Sequence, residues 1–258
     1  VLHYQTYHLN ENKPWITLIQ GAEGDSSIWF KQLKEYRKHY NVLLIDLHGQ
    51  DESNLDTLAK EVLKVLDVLQ IERSHFIGIS LGTVVIQCIA NLEADRVETM
   101  VLGGAITTLN MRTKLCLSLG RLANQFVPFK WIYRSFAWIV MPLANQKEAR
   151  QLFIEQAKSI QQSESIQWNA LAKNAGPYLK KLQKEFHNIP TLFLMGEQDY
   201  LFLEGVEDIV LHTGHHVTFD IIDQAGHMCN IDQPQAFTKR SMSFIDSYCQ
   251  ELISIKSS

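Results

Sequence analysis

Apolar positions along the chain fall into two patterns that alternate. Short, nearly continuous runs rich in β-branched residues, such as Trp15-Ile-Thr-Leu-Ile19 and Val42-Leu-Leu-Ile-Asp46, have the length of strands. His75-Phe-Ile-Gly-Ile79, Val97–Leu102, Thr191–Met195 and Val217–Ile222 continue the series. A strand apolar on both sides is covered on both sides, which is the habit of parallel sheets. Between these runs, Leu55, Leu58, Ala59, Val62, Leu63, Val65, Leu66 and Leu69 recur at helical spacing, as do Val84, Val85, Cys88 and Ile89. A last helix runs from about Pro234. Repeated strand–helix units predict an α/β fold, a mostly parallel central sheet flanked by helices. Such sheets gather their functional groups at the carboxyl ends of the strands.

One stretch breaks the alternation. Residues 107–186 contain no convincing strand and read as several helices. An all-helical insertion of this kind reads as a cap over the site, leaving residues 1–106 and 187–258 as the core. Its middle is aromatic, with Phe126, Phe129, Trp131, Tyr133, Phe136 and Trp138. Two readings stand: Phe126, Trp131 and Trp138 line an apolar pocket facing the nucleophile, or the aromatic side chains form the core of the cap itself.

Gly78-Ile79-Ser80-Leu81-Gly82 has the form Gly-x-Ser-x-Gly, with a strand before it and an apolar-periodic helix after it. A serine on a sharp strand-to-helix turn is lifted out of the sheet, and the flanking positions leave no room for side chains. A hydroxyl needs a base to take its proton, and the base needs a carboxylate to orient it. Asp199 and His227 both follow predicted strands, so they fall at the same sheet edge as Ser80 and in the order serine, acid, histidine. Glu197 and Asp223 are the nearest rival carboxylates.

On these residues the chain resembles the α/β-hydrolase superfamily, in its capped branch of esterases, lipases and related hydrolases. The likeness runs from Leu18-Ile-Gln-Gly21 through the serine turn and Gly196-Glu-Gln-Asp199 to Gly226-His227 and the helix entry at Pro234. The resemblance implies a catalytic triad of Ser80, Asp199 and His227, with the backbone N–H groups of Ala22 and Leu81 as the oxyanion hole. It implies no metal and no organic cofactor. Where the superfamily usually has histidine and small residues, this chain has Gln20, Glu23 and Asp25. A carboxylate roughly 5 Å from an oxyanion, at an effective dielectric near 20, would oppose it by about 3 kcal/mol. These acids therefore either cap a solvated loop or tune substrate choice away from simple esters.

Composition adds limits rather than new candidates. The chain is 46% hydrophobic and 20% charged, an ordinary globular mixture, and its net charge of −4 gives no reason to expect nucleic acid. The four cysteines show no Cys-x-x-Cys spacing, and no export signal precedes the first strand, which together suggest a reducing, cytoplasmic setting. The longest apolar stretch, from Trp131 to Ala144, is interrupted by Arg134 and is too short to span a bilayer. The expected activity is hydrolysis of carboxylic esters with apolar, small-to-medium acyl groups through an acyl-enzyme. Lactones, thioesters and C–C bonds beside a carbonyl suit the same triad, and a slow-turnover ligand sensor is the alternative of another class.

Overall fold

A strand that the apolar pattern does not predict opens the chain. β1 (His3–Tyr7) is an edge strand whose side chains are mostly exposed, and it pairs antiparallel with β3. The six predicted runs form β2 (Trp15–Ile19), β3 (Asn41–Asp46), β4 (Ser74–Ile79), β5 (Val97–Gly103), β6 (Thr191–Gly196) and β7 (Val217–Ile222). All seven make one sheet in the order β1-β3-β2-β4-β5-β6-β7, parallel from β3 onward. The computed structural model describes residues 2–21, 25–47, 54–109, 111–123, 126–156, 176, 178–180, 182 and 188–256.

Both faces of the sheet are covered. On one face lie α2 (Leu55–Val68) and α3 (Leu81–Leu92), following α1 (Phe30–Tyr36) in the chain. The Asn54 side chain caps α2 by accepting from the Asp56 amide at 2.9 Å, which satisfies one of the helix's unpaired donors. Successive residues of β4 serve opposite faces. Phe76 packs with Leu58, Val62, Val85 and Ile89, whereas Ile77 and Ile79 pack with Tyr36, Phe237 and Ile245 on the other side.

Between β5 and β6 the described residues contain no strand. They form α4 (Met111–Ala123), α5 (Phe129–Val140), a 3-10 turn (Ala144–Gln146) and α6 (Lys147–Gln156). After β6 comes α7 (Leu203–Val210), and after β7 come α8 (Cys229–Asp232) and the long α9 (Pro234–Lys256). Register decides what meets at the carboxyl edge. Ile79 lies beside Gly103, Gly103 beside Leu194, and Gly196 beside Ile222, so the residues just beyond these four strand ends become neighbours.

Candidate active site

β4 ends at Ile79 and α3 begins at Leu81, so Ser80 alone makes the turn, at φ 54° and ψ −122°. A residue with a side chain rarely takes this conformation and holds it only when the surroundings fix it. Here the Ser80 amide donates to Gly103 O at 3.0 Å, and its carbonyl accepts from the Thr83 amide and the Thr83 hydroxyl. The flanking glycines are a matter of space. A Cβ on Gly78 would come within 2.9 Å of the Gly82 backbone, and one on Gly82 would collide with the carbonyls of Ile19 and Gln20. The turn is thus pressed against the end of β2.

The structure brings Asp199 and His227 to that turn. Nε2 of His227 lies 2.9 Å from Ser80 Oγ, and its Nδ1 lies 2.8 Å from Asp199 Oδ2. Asp199 is fully buried and His227 nearly so. The carboxylate's other oxygen accepts from the Phe202 amide at 3.3 Å, and the Phe202 ring packs 4.8 Å from the imidazole. A carboxylate accepts and does not donate, so Nδ1 carries the proton and Nε2 presents a lone pair to the serine hydroxyl. Such a chain of hydrogen bonds can draw the proton from Ser80 as its oxygen attacks a carbonyl carbon. The rival carboxylates lie elsewhere: Glu197 accepts from the Gln224 amide at 3.1 Å, and Asp223 is exposed in the turn after β7.

Further residues that the sequence did not single out hold the histidine loop. Asp232, in α8, accepts from the Gly226 amide at 2.8 Å, directly before His227. Burial pushes the Asp232 carboxyl up to about 6, against the pull of the Gly226 amide and the Lys31 ammonium. Gly104, at φ 49°, lies so close beneath this loop that a Cβ would strike the His227 carbonyl. Gly196 meets the Ala225 and Gly226 carbonyls in the same way. From the stretch between β5 and β6, Asn145 Nδ2 donates to Gln198 Oε1 at 2.8 Å and to the Gln224 carbonyl at 2.9 Å, tying the acid and histidine loops together. Asp232 was visible only as part of the run after His227, and nothing in its spacing marks a partner.

On the other side of Ser80, Leu81 is the first residue of α3, where an N–H has no partner within the helix. Gly21 packs against Ser80, since a Cβ there would lie 3.1 Å from the Ser80 Cβ. Gln20 is fully buried. Ala22 and Glu23, named as an oxyanion donor and a tuning acid, lie outside the described residues. Asp25 caps the turn Ser26–Trp29 by accepting from the Ser27 amide at 2.8 Å, and it also accepts from Gln156 Nε2.

The aromatic stretch divides. Tyr133 is buried and stacks on Phe153 of α6, with ring centroids 4.4 Å apart, and Phe136 packs on the same ring. Phe126, Trp131 and Trp138 are 82%, 63% and 50% exposed. Side chains this exposed form no closed pocket wall by themselves. The Arg150 guanidinium lies over one face of Trp138, 3.7 Å from its centroid. Among the described residues, no three His, Cys, Asp or Glu side chains come together as a metal site.

The sheet order, the strained serine turn and the three strand-end side chains define a class, the α/β hydrolases. Residues 19–240 match the model of the alpha/beta hydrolase family, and the chain belongs to that family. Among curated proteins it is 26% identical to 3-oxoadipate enol-lactonase 1 of Acinetobacter baylyi, covering 92% of this chain and 90% of that one. It is 24% identical to the uncharacterized carboxylesterase nap of Bacillus subtilis, covering 92% and 81%. Among solved structures, the enol-lactonase of Burkholderia xenovorans superposes with a TM-score of 0.75 at 22% identity, over 95% of this chain and 96% of that one. A hydrolase of Oleispira antarctica reaches 0.82 at 17% identity, over 95% and 94%. At those identities the two structures bear on the fold alone. The relatives' names include lactonases and carboxylesterases, so hydrolysis is the activity they have in common.

Proposed function

We propose that the protein is a serine-dependent hydrolase that cleaves carboxylic esters with apolar, small-to-medium acyl groups through an acyl-enzyme. The observation that carries this reading is the continuous path from Ser80 Oγ to His227 to buried Asp199, at 2.9 and 2.8 Å. Ser80 attacks the ester carbonyl while His227 Nε2 takes its proton. The tetrahedral oxyanion is held by the N–H groups of Leu81 and Ala22. Collapse breaks the bond to the alkoxy oxygen, which leaves as the alcohol with the proton from His227. A water molecule, deprotonated by the same nitrogen, then attacks the acyl-enzyme and releases the acid. Asp199 keeps the imidazole in the required tautomer and offsets its charge when protonated. Residues 107–186 serve as a helical cap over this edge, a reading supported by the hydrogen bonds from Asn145 to the Gln198 side chain and the Gln224 carbonyl.

A burst of p-nitrophenol equal to the enzyme concentration, from a short-chain p-nitrophenyl ester, is the expected result, with no burst from Ser80→Ala. A slow, burst-free signal that survives Ser80→Ala would overturn the reading. A stoichiometric burst followed by negligible turnover would point to a ligand sensor instead.

Lactone hydrolysis is the second reading, favoured by the relative named as an enol-lactonase, which aligns along nearly the whole chain. A lactone differs only in that the alcohol stays tethered to the acyl group. Comparing kcat/KM on matched linear esters and five-membered lactones separates the two.

A further inference from the structure

The helices between β5 and β6 present an apolar face to solvent. Met111, Leu115, Leu119 and Leu122 of α4 recur at helical spacing on one side, and each is more than half exposed. Among the described side chains of α4, Thr113 alone is buried. Phe126 follows in the connection, and Trp131 lies in the first turn of α5, both exposed. Soluble surfaces rarely leave four large apolar side chains along one helix face without something to cover them.

The charges around this face identify the cover. The chain has 28 acidic residues and 24 basic ones, yet no Asp or Glu occurs between Glu98 and Glu148. That stretch instead carries Arg112, Lys114, Arg121, Lys130, Arg134 and Lys147. Lys114 is exposed next to Leu115, and Lys130 and Arg134 are exposed on α5 beside Trp131. The net charge of −4 for the whole chain therefore hides a wholly cationic segment. A second copy of the chain would bring these cations face to face, which opposes a symmetric pair. A nucleic acid would satisfy the cations but leave the leucines in contact with phosphates and water.

We propose that α4 and α5 dock on an anionic phospholipid bilayer surface. Leucines, Phe126 and Trp131 enter the boundary between headgroups and acyl chains, while the lysines and arginines meet the lipid phosphates. Tryptophan at the level of the headgroups suits both environments. Nothing here spans the membrane, and no helix among the described residues is long and apolar enough to do so. The proposal is independent of the reaction at Ser80.

The test is flotation of the full chain with vesicles of phosphatidylcholine alone, or of phosphatidylcholine mixed equally with phosphatidylglycerol. The protein should float with the mixed vesicles, remain behind with the neutral ones, and be released by high salt. The double variant Lys114→Gln with Arg134→Gln should lower partitioning ~30-fold, about fivefold for each charge removed. The pair Leu115→Glu with Leu119→Glu should abolish it. These side chains are exposed, so thermal melting should match the parent, and only variants that do match are scored. Failure to float with anionic vesicles, or equal binding to neutral ones, overturns the proposal. So does a dimer in light scattering that the Leu115→Glu and Leu119→Glu pair dissolves.

Discussion

The amide of Gly226 donates to the carboxylate of Asp232 across 2.8 Å, which fastens the residue before His227 to the start of the C-terminal helical region. Asp232 is also buried enough to be raised from 3.8 to about 6. An acid raised on folding contributes stability that is complete below its unfolded value and is lost as pH climbs through the folded one. The loss amounts to about 3 kcal/mol, spread between about pH 4 and pH 7. Asp232→Asn keeps an oxygen for the Gly226 amide but cannot ionise. Its melting temperature should rise relative to the parent as pH increases over that window. Parallel curves for parent and variant would refute this.

His75 works in the opposite sense. It is buried in β4, at the far end of the strand from Ser80, with Nδ1 2.9 Å from the Thr99 hydroxyl. Burial, aided by Arg73, lowers it from 6.5 to about 4. The folded state then prefers the neutral ring, so stability is complete above about pH 6.5 and is lost as pH falls through about 4. The size is again about 3 kcal/mol. The two groups oppose each other across their shared window, which flattens the parent's profile there. His75→Gln should unmask the Asp232 slope, becoming relatively more stable as the solution is acidified.

Asp199→Asn tests the orienting carboxylate. An amide can donate to Nδ1 as well as accept, which permits the tautomer that points a proton at Ser80. Turnover should fall by about 10⁴-fold with little change in thermal stability. Adding Ser80→Ala should cost no more than Ser80→Ala alone, because the residues act as one unit. Full additivity in the double variant would argue against a shared path.

Gly104→Ala places a methyl group where the His227 carbonyl lies and imposes a side chain at φ 49°. The backbone conformation alone costs about 1–2 kcal/mol. Displacement of His227 should lower kcat by about 10–100-fold with KM nearly constant, since a shift of about 1 Å in a positioned group has that effect. An unchanged kcat in a destabilised protein would show that the loop yields without moving the ring.

Asp25→Ala removes the cap on the turn Ser26–Trp29. About 1 kcal/mol of stability should be lost, as for other caps. kcat/KM on neutral esters should stay within about twofold, because this carboxylate is engaged with the Ser27 amide. A large gain in turnover would instead reveal charge repulsion at the oxyanion.

Much of this architecture could be read from residue order alone. Long apolar runs report strands covered on both sides, and Ser80, Asp199 and His227 were each marked by the strand that precedes them. β1 was missed because an edge strand with exposed side chains has no apolar run to reveal it. Asp232 and Gly104 were missed for a different reason. Their importance lies in main-chain contacts with residues 226 and 227, and no local pattern in their own neighbourhood encodes that meeting. The aromatic stretch was ambiguous because helical spacing says which residues share a face, not whether protein, substrate or solvent lies against it.

The close packing of Gly104 and Gly196 against the histidine loop has a wider implication. At that junction main chain rests on main chain, with no side chain between that could be exchanged for a larger or smaller one. A descendant of this sequence seeking a new substrate has little to vary there. Substitution is easier where side chains face solvent, as along α4 and α5. The packed junction and the exposed helices are therefore free to diverge at different rates.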